Sequence, residues 1–320
     1  MNPERPQYLA ETFAELTATL SSATLWHPNE LLARRTTFRV GGPADFFIEP
    51  GSEHDLAKVT KFCREHNWPL MILGRGSNLL IRDGGIRGVV VGLGHPYFSQ
   101  IVVENDTIRC GAGARLKNVA VEARRASIGG LEFLEGIPGS VGGALRMNAG
   151  AMGGWIFAVA DRVRYMDQLG AAHEVAGNSI DSEYRSCAFF KNHIALGAVF
   201  RGEFVAREII EKKMMDCSQK RWKSQPAAPS AGCIFKNPDT IPSGRLIEEL
   251  GLKGARVGGA SVSEVHGNFI VSDGSATARD ILDLIQMLKD RAARDRGIAL
   301  ETEVEIVGED LPEMELSHKS

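Results

Sequence analysis

The sequence predicts an α+β protein, and three observations support this prediction. Between Ala44 and Gly92, short apolar runs alternate with an amphipathic stretch, which indicates strands and a helix in one small layer. The segments 163–167, 173–175 and 194–204 are typical of antiparallel strands. The segment Thr277–Arg294 has apolar residues at helical spacing along its whole length, which predicts a long amphipathic helix.

The other elements are expected at intervals along the whole chain. Apolar spacing predicts helices at Tyr8–Leu20, Glu53–Glu65, Leu116–Ser127 and Ala206–Trp222. Apolar runs or alternation predict strands at Ala44–Ile48, Leu70–Leu73, Val89–Gly92 and Leu300–Val307. Period-two alternation over Ile101–Cys110, around Asn105 and Asp106, predicts a hairpin. The Pro-, Ser- and Ala-rich stretch Ser224–Ala231 ends the helical pattern, and we place a domain boundary near Phe204.

Composition excludes several classes of protein. With 320 residues, 43% hydrophobic and 24% charged, the chain has the composition of an ordinary globular protein of about two domains. A net charge of −3 gives no basic field for nucleic acid. No run of about 18 apolar residues is present, so we expect no membrane-spanning helix, and the acidic start of the chain predicts no secretory signal. Five widely spaced cysteines without a C-x-x-C pair favour reduced thiols in the cytoplasm over disulfides, and we expect no metal.

Two glycine-rich segments are candidates for a phosphate-binding site. Residues 136–150 read GIPGSVGGALRMNAG, and residues 71–80 read MILGRGSNLL, in which an apolar run leads into a polar turn with one fixed positive charge. Backbone N–H groups with no side chain in the way form a concave anion site, and a pyrophosphate is the usual occupant. Apolar residues between the glycines argue against a flexible linker. Taken singly, each segment is also consistent with an ordinary surface turn.

Together with four further motifs, these two segments resemble the UDP-N-acetylenolpyruvoylglucosamine reductase (MurB) family of peptidoglycan synthesis. The further motifs are TTFRVGGPA at 36–44, GCIFKNP at 232–238, GLKG at 251–254 and LETEV at 300–304. The resemblance covers about residues 36–308. Several motifs in one order make it more specific than a single glycine pattern.

The resemblance implies an FAD-binding fold of the p-cresol methylhydroxylase type, with two α+β subdomains around the flavin and a C-terminal α+β substrate domain. We expect the first FAD-binding subdomain at 1–95, with the tail 309–320 packed on it, the second at 96–204 and the substrate domain at 205–308. The implied reaction passes a hydride from NADPH, through non-covalently bound FAD, to the double bond of UDP-N-acetylglucosamine enolpyruvate. The product is UDP-N-acetylmuramate.

The resemblance also implies roles for individual residues. Arg185 would stabilise the negative charge that develops on the substrate carboxylate, Glu303 would polarise that carboxylate, and Cys233 would donate the proton. FAD contacts are expected at Gly74, Arg75, Gly76, Ser77, Asn78, Gly136, Ile137, Pro138, Gly139, Ser140, Gly142, Gly143 and Asn148. Substrate contacts are expected at Tyr184, Arg221, Lys223, Lys236, Asn237 and His266, the last of which is equally consistent with a structural histidine.

The chain departs from the family's common pattern in two places. Cys233 replaces the usual serine donor, and because a thiol is a better acid than an alcohol, it can still give up a proton near neutral pH. The interval between Tyr184 and Cys233 is too short for the tyrosine-bearing loop and the inserted βαββ unit of the family's first type, so the chain resembles the second type. The alternation around Glu303 does not decide which face of the strand is buried. A buried glutamate there would have a raised pKa.

Three alternatives stay open at this stage. Another FAD oxidoreductase of the same fold, acting on sugars or hydroxy acids, would usually lack the motif at 232–238. A catalytically inactive flavin or nucleotide sensor would not need Arg185, Cys233 and Glu303 together. A dinucleotide fingerprint at Gly111–Leu116 lacks its third glycine and the acidic residue about 20 positions later, which disfavours a Rossmann unit.

Overall fold

The computed structural model of the protein describes residues 5–311, with side chains from Thr12 onward. Residues 312–320, which make up most of the tail expected to pack on the first subdomain, lie outside the described residues. None of the helices within 5–311 has the length and apolar character that a membrane crossing needs. Within the same range, no three His, Cys, Asp or Glu side chains are grouped so that they could hold a metal ion.

The described helices range from one turn to five. In chain order they are α1 (Arg5–Thr19), α2 (Glu53–Glu65), α3 (Leu116–Arg125), α4 (Val141–Arg146), α5 (Ile156–Val159), α6 (Arg207–Ser224), α7 (Ser243–Glu249) and α8 (Ala278–Arg296).

Most of the described strands are short. In chain order they are β1 (Leu25–Leu31), β2 (Pro43–Glu49), β3 (Leu70–Leu73), β4 (Leu79–Ile81), β5 (Ile86–Gly92), β6 (Ile101–Glu104), β7 (Thr107–Gly111), β8 (Ile128–Gly129), β9 (Gly150–Ala151), β10 (Gly154–Trp155), β11 (Ala160–Met166), β12 (Ala172–Ala176), β13 (Ile194–Arg201), β14 (Glu203–Phe204), β15 (Arg256–Val257), β16 (Ala260–Val262), β17 (Ile270–Ser272) and β18 (Glu305–Val307).

The chain divides into two compact units whose segments alternate along the sequence. The first comprises the described residues up to Pro28, Phe46–Gly74 and Gly88–Ile210. The second comprises Asn29–Asp45, Arg75–Arg87 and the described residues from Glu211 onward. The division into three parts at 1–95, 96–204 and 205–308 stays a prediction.

Two sheets lie largely in the first unit. One has the strand order β1-β2-β5-β3, with β3 and β5 parallel, and the other is the antiparallel sheet β12-β11-β13-β7-β6. Helix α2 begins where the Ser52 side chain accepts a hydrogen bond from the Asp55 backbone N–H at 3.1 Å. Its buried face includes Leu56 and Val59, both 0% exposed. The sheets and this helix are the α+β architecture that the alternation of apolar patterns predicted.

The second unit is organised around helix α8. Thr277 and Asp280 form a reciprocal capping box at its start, and Gly297, with φ 65°, ends it in the left-handed conformation. The helix buries Ile281 and Leu284 against the antiparallel sheet β15-β16-β17 and its surroundings. The same core contains, among others, Phe38, Val40, Leu80, Ile234, Phe235, Leu246, Ile247, Val262, Ile270, Leu288 and Val304.

The structure confirms most of the expected elements and corrects two. The helix at Glu53–Glu65, the strand at Leu70–Leu73 and the hairpin around Asn105 are confirmed. The expected strand at Leu300–Val307 is wrong for its first half, because only Glu305–Val307 forms a regular strand, paired in parallel with β4. The expected strand to Phe204 is interrupted at Gly202, whose N–H bonds the Asp106 carbonyl at 3.0 Å.

Candidate active site

The glycine-rich segment 136–150 contains a short helix that the sequence did not predict. Helix α4 begins after Ser140, and the N–H groups of Val141 and Gly142 donate to the carbonyls of Ala114 and Ala112 at 3.0 and 2.8 Å. A Cβ at Gly142 would lie 3.0 Å from the Cβ of Ala112. A side chain does not fit at position 142, because α4 packs closely on the turn that precedes α3. The N–H of Gly142 is already hydrogen-bonded within the protein.

The two glycine segments meet within the first unit. Gly74, at the end of β3, is exposed, and a Cβ there would lie 3.0 Å from the Ser140 Oγ and 3.9 Å from the Gly143 Cα. Gly143 itself is half-buried and has only the Ser140 Oγ within 4 Å of a Cβ position. This arrangement leaves a surface without side chains beside a hydroxyl group, which suits the close approach of a phosphate.

The rest of the glycine segment 71–80, from Arg75 onward, belongs to the second unit. Gly76 has φ 58°, and a Cβ there would lie 2.8 Å from the Thr36 methyl carbon, so both backbone conformation and packing require glycine. Arg75 is exposed. The Asn78 side chain donates to the Glu303 carbonyl at 3.1 Å, and the Asn78 carbonyl accepts from the Glu305 N–H at 3.0 Å.

The structure places Cys233 and Glu303 on neighbouring backbone segments of the second unit. Cys233 follows Gly232, which has φ 78°, and is half-buried. The carbonyl of the next residue, Ile234, accepts a hydrogen bond from the Glu303 N–H at 2.8 Å. Glu303 is half-buried, whereas Val304 is only 3% exposed and belongs to the core. The buried face of this segment is therefore the one that carries Val304, and Glu303 lies on the other face.

Lys236 and Asn237 follow the cysteine and have structural partners. The Lys236 Nζ lies 3.1 Å from a carboxylate oxygen of Glu301, and both side chains are exposed. The Asn237 Oδ1 accepts from the Ser243 N–H at 3.0 Å, at the start of α7. Their expected substrate contacts stay predictions.

His266 lies in the turn before β17. Its Nδ1 accepts a hydrogen bond from the Asn268 N–H at 3.1 Å, which requires an unprotonated Nδ1. Burial, with a smaller contribution from the Lys253 charge, holds the pKa of His266 below its ordinary value. The ring is therefore neutral at pH 7 and stabilises the turn, whatever its predicted role toward substrate.

In the first unit, Tyr184 and Arg185 form the tip of a tight turn. Glu183 and Ser186 exchange backbone hydrogen bonds of 2.8 and 3.2 Å across it. Arg185 has φ 57°, an uncommon conformation for a residue with a Cβ. Its guanidinium carbon lies 5.1 Å from the Tyr184 ring centroid, and its Nη1 donates to the Gly150 carbonyl at 3.2 Å. The turn therefore aims the guanidinium back towards the second glycine segment.

Asn148 belongs to the glycine segment 136–150 and contacts the turn that carries Arg185. Its Nδ2 donates to the Glu183 carbonyl at 3.1 Å and to the Ser182 Oγ at 3.3 Å. Sequence motifs predicted an FAD contact for Asn148, and the structure adds this connection to the arginine turn.

In the second unit, Arg221 and Lys223 lie in the last turn of α6, as the charged-helix pattern predicted.

Comparison with known proteins assigns this fold and these motifs to a class. Residues 44–176 match the family model of an FAD-binding domain. Residues 225–307 match the model of the UDP-N-acetylenolpyruvoylglucosamine reductase C-terminal domain. The chain thus contains the FAD-binding domain of an oxidoreductase, as expected.

Relatives across nearly the whole chain narrow this class to one family. UDP-N-acetylenolpyruvoylglucosamine reductase from Clostridium novyi (strain NT) is 41% identical over 284 residues, which are 88% of this chain and 92% of the relative. The reductase of the same name from Clostridium botulinum (strain Eklund 17B / Type B) is 39% identical over 94% of this chain and 99% of its own length. The crystal structure of UDP-N-acetylenolpyruvylglucosamine reductase (MurB) from Thermus caldophilus has a TM-score of 0.78 and 35% identity, and covers 89% of this chain and 99% of its own. The chain belongs to the UDP-N-acetylenolpyruvoylglucosamine reductase family.

Proposed function

We propose that this chain is an NADPH-dependent flavoenzyme that reduces the enolpyruvyl group of UDP-N-acetylglucosamine enolpyruvate to the lactyl ether, giving UDP-N-acetylmuramate. Family membership supports the overall reaction. The observation that supports the chemistry most directly is the backbone pairing of Ile234 with Glu303, at 2.8 Å. This pairing joins the backbone of Glu303 to the residue that follows Cys233, in the part of the chain that the reductase model matches, and it supports a shared role for the two residues.

The residues of the two glycine segments fit an FAD pyrophosphate. Gly74 and Gly143 leave a surface without side chains beside the Ser140 hydroxyl, and a Cβ at Gly74 would lie 3.0 Å from that hydroxyl. Arg75 offers a fixed positive charge. These residues would hold the cofactor by backbone and charge contacts. When bound, the flavin supplies hydride transfer from NADPH to the substrate.

Arg185 and Glu303 would both stabilise the negative charge that develops on the substrate carboxylate. Addition of a hydride to the enol ether moves an electron pair onto the adjacent carboxylate, and this charge needs groups that are already in place. The guanidinium of Arg185 presents a planar set of donors suited to a carboxylate, and its turn is fixed by backbone hydrogen bonds. Glu303 would polarise the same carboxylate.

Cys233 would complete the reaction by protonation. The electron pair returns from the carboxylate to form a C–H bond with the thiol proton, which leaves a thiolate that is reprotonated from solvent. A half-buried position gives the thiol both access to a substrate and contact with the protein. The cations at Arg221, Lys223 and Lys236 would contribute to binding the UDP phosphates, together with Tyr184, Asn237 and His266. We place the enzyme in the cytoplasm, where its thiols stay reduced.

The test is a pair of anaerobic half-reactions. The flavin of the purified protein should be bleached by NADPH and should regain its absorbance when UDP-N-acetylglucosamine enolpyruvate is added. A sugar or hydroxy acid that reduces the flavin directly would favour another oxidase of this fold. Flavin that NADPH does not reduce would favour a sensor without catalysis.

A further inference from the structure

The side chain of Asn268 is buried and bonded at both ends to one residue. It is 3% exposed. Its Oδ1 accepts from the Phe235 N–H at 2.9 Å, and its Nδ2 donates to the Phe235 carbonyl at 2.8 Å. The Asn268 carbonyl also accepts from the Ile234 N–H at 2.9 Å. Three hydrogen bonds therefore fix the two residues that follow Cys233.

The geometry around Phe235 explains why a side chain amide is needed. Phe235 forms an isolated antiparallel bridge with Thr302, in which the bonding groups belong to its neighbours: Ile234 C=O with Glu303 N–H, and Lys236 N–H with Glu301 C=O, the latter at 2.9 Å. The N–H and C=O of Phe235 itself point to the opposite side, where a sheet would have another strand. The amide of Asn268 takes the place of that strand and satisfies both groups.

The backbone of Ile234 and Phe235 links the two residues that are proposed to act on the substrate, Cys233 with its thiol and Glu303 with its carboxyl group. Cys233 directly precedes Ile234, and the Ile234 carbonyl holds the Glu303 N–H. The side chains of Ile234 and Phe235 are 0% and 1% exposed, so the segment cannot shift without disturbing the core.

We propose that Asn268 is a positioning residue for the protonation step, which holds the Cys233 thiol and the Glu303 carboxyl in register through the backbone of Ile234 and Phe235. This inference rests on the proposed function. Both a donor and an acceptor are needed in one short side chain, and asparagine provides them. A displacement of about 1 Å at a reacting group costs about 10²-fold in rate.

The first test compares Asn268→Leu with Leu288→Ala. Leu288 is 1% exposed, lies in the same core and has an apolar side chain, so its truncation lowers stability but removes none of the hydrogen bonds to Phe235. Under conditions where both variants are folded, Asn268→Leu should reduce flavin with NADPH at the wild-type rate and reoxidise it with substrate about 10²-fold more slowly. Leu288→Ala should leave both rates unchanged. A folded Asn268→Leu that reoxidises at the wild-type rate overturns the proposal.

A second variant covers the case in which Asn268→Leu does not fold. Asn268→Asp keeps the acceptor for the Phe235 N–H, but its carboxyl can donate to the Phe235 carbonyl only when protonated. Its reoxidation rate, divided by that of the wild type, should therefore rise as pH falls through the pKa of the new, buried carboxyl. A ratio that is low at every pH, or equal to one at every pH, contradicts a positioning role.

A readout that does not depend on catalysis separates this inference from the proposed function. Iodoacetamide labelling of the Cys233 peptide, followed by mass spectrometry in the absence of substrate, should be faster in folded Asn268→Leu than in the wild type and unchanged in Leu288→Ala. If the wild type does not reoxidise with UDP-N-acetylglucosamine enolpyruvate, the proposed function is wrong. In that case, an unchanged labelling rate in Asn268→Leu would overturn the positioning of Cys233 as well.

Discussion

Substitution of Cys233 tests the proposed proton donor most directly. Cys233→Ser supplies a hydroxyl donor and should remain active, because the motif resemblance implies a serine donor at this position. Cys233→Ala should reduce turnover with substrate by about 10²–10⁴-fold, which is the usual contribution of a positioned acid. Flavin reduction by NADPH should survive both changes, since no proton from this residue enters that half-reaction.

The structure allows this effect to be distinguished from unfolding. A loss of 10²–10⁴-fold corresponds to about 2.7–5.4 kcal/mol at 1.36 kcal/mol per factor of ten. Cys233 is half-buried, whereas Ile234 and Phe235 next to it are fixed in the core. Removal of one sulfur atom at such a position should lower the free energy of unfolding by only about 1 kcal/mol. A urea midpoint close to the wild type, with a large loss in reoxidation rate, is the expected combination.

Alkylation gives an independent measure, and burial reduces the number of competing thiols. Burial raises the pKa of Cys63 from 9.0 to about 12, so its thiolate is about 10³-fold scarcer near pH 8 than that of an ordinary cysteine. Burial also raises the pKa of Cys110 and Cys187. Cys217 is the remaining partly exposed thiol besides Cys233. In a Cys217→Ser background, iodoacetamide should therefore inactivate the enzyme through Cys233, and bound substrate should protect it.

Two results would refute this reasoning. If Cys233→Ala turns over at the wild-type rate, the thiol only packs and the proton comes from elsewhere. If the Cys217→Ser, Cys233→Ser double variant is inactivated as fast as Cys217→Ser, the sensitive group is not Cys233. Both measurements use the stopped-flow reoxidation assay, so that damage to NADPH binding is seen separately.

Three further predictions concern the flavin, the carboxylate-binding groups and acid stability. Acid precipitation should release FAD into the supernatant, and colour that remains in the pellet would indicate a covalent link. Arg185→Ala and Glu303→Gln should each slow reoxidation by substrate by about 10²–10³-fold and spare reduction by NADPH, and equal damage to both half-reactions would favour a structural role. Asp55 is 1% exposed and accepts hydrogen bonds from Ser21, Thr24 and Ser52. Burial alone would raise the pKa of Asp55, but these bonds outweigh it and lower the pKa below 3.8. The stabilisation is therefore present above about pH 4 and lost as pH falls through the folded-state pKa. Asp55→Asn should lower the free energy of unfolding by about 1–3 kcal/mol at pH 7, with a smaller difference at pH 3, and a difference independent of pH would argue against an ionised Asp55.

Local patterns predicted those elements whose own residues determine them. The bounds of α2 and β3 agree with the sequence prediction because helical apolar spacing and a bounded apolar run are signals within a few residues. The strand at Leu300–Val307 failed in its first half because pairing depends on a distant segment. Glu303 bonds Ile234 rather than a regular strand, so alternation alone could not give its extent.

The glycine segments show a different limit of sequence-based prediction. Their composition correctly indicated close backbone approach, but it did not indicate what is approached. Gly142 packs on Ala112, and Gly76 packs on Thr36, whereas Gly74, although close to the Ser140 hydroxyl, is exposed, and Gly143 has no atom nearer than 3.6 Å to a Cβ position. A glycine required by internal packing and a glycine required by a ligand look alike in the sequence, because both are selected for the absence of a side chain.

A similar limit applies to the residues of the candidate site. Cys233, Arg185 and Glu303 could be named because a family motif surrounds each, but Asn268 lies in the short stretch GNFIVS and has no chemistry of its own to announce it. Its role follows only from the partners of its amide, both of which belong to Phe235, a residue 33 positions away. Buried polar side chains are costly unless both ends are bonded. An asparagine that is 3% exposed and bonded to backbone through both its amide oxygen and its amide nitrogen fixes the geometry of that backbone, and here the backbone is the path of the chain between Cys233 and Glu303.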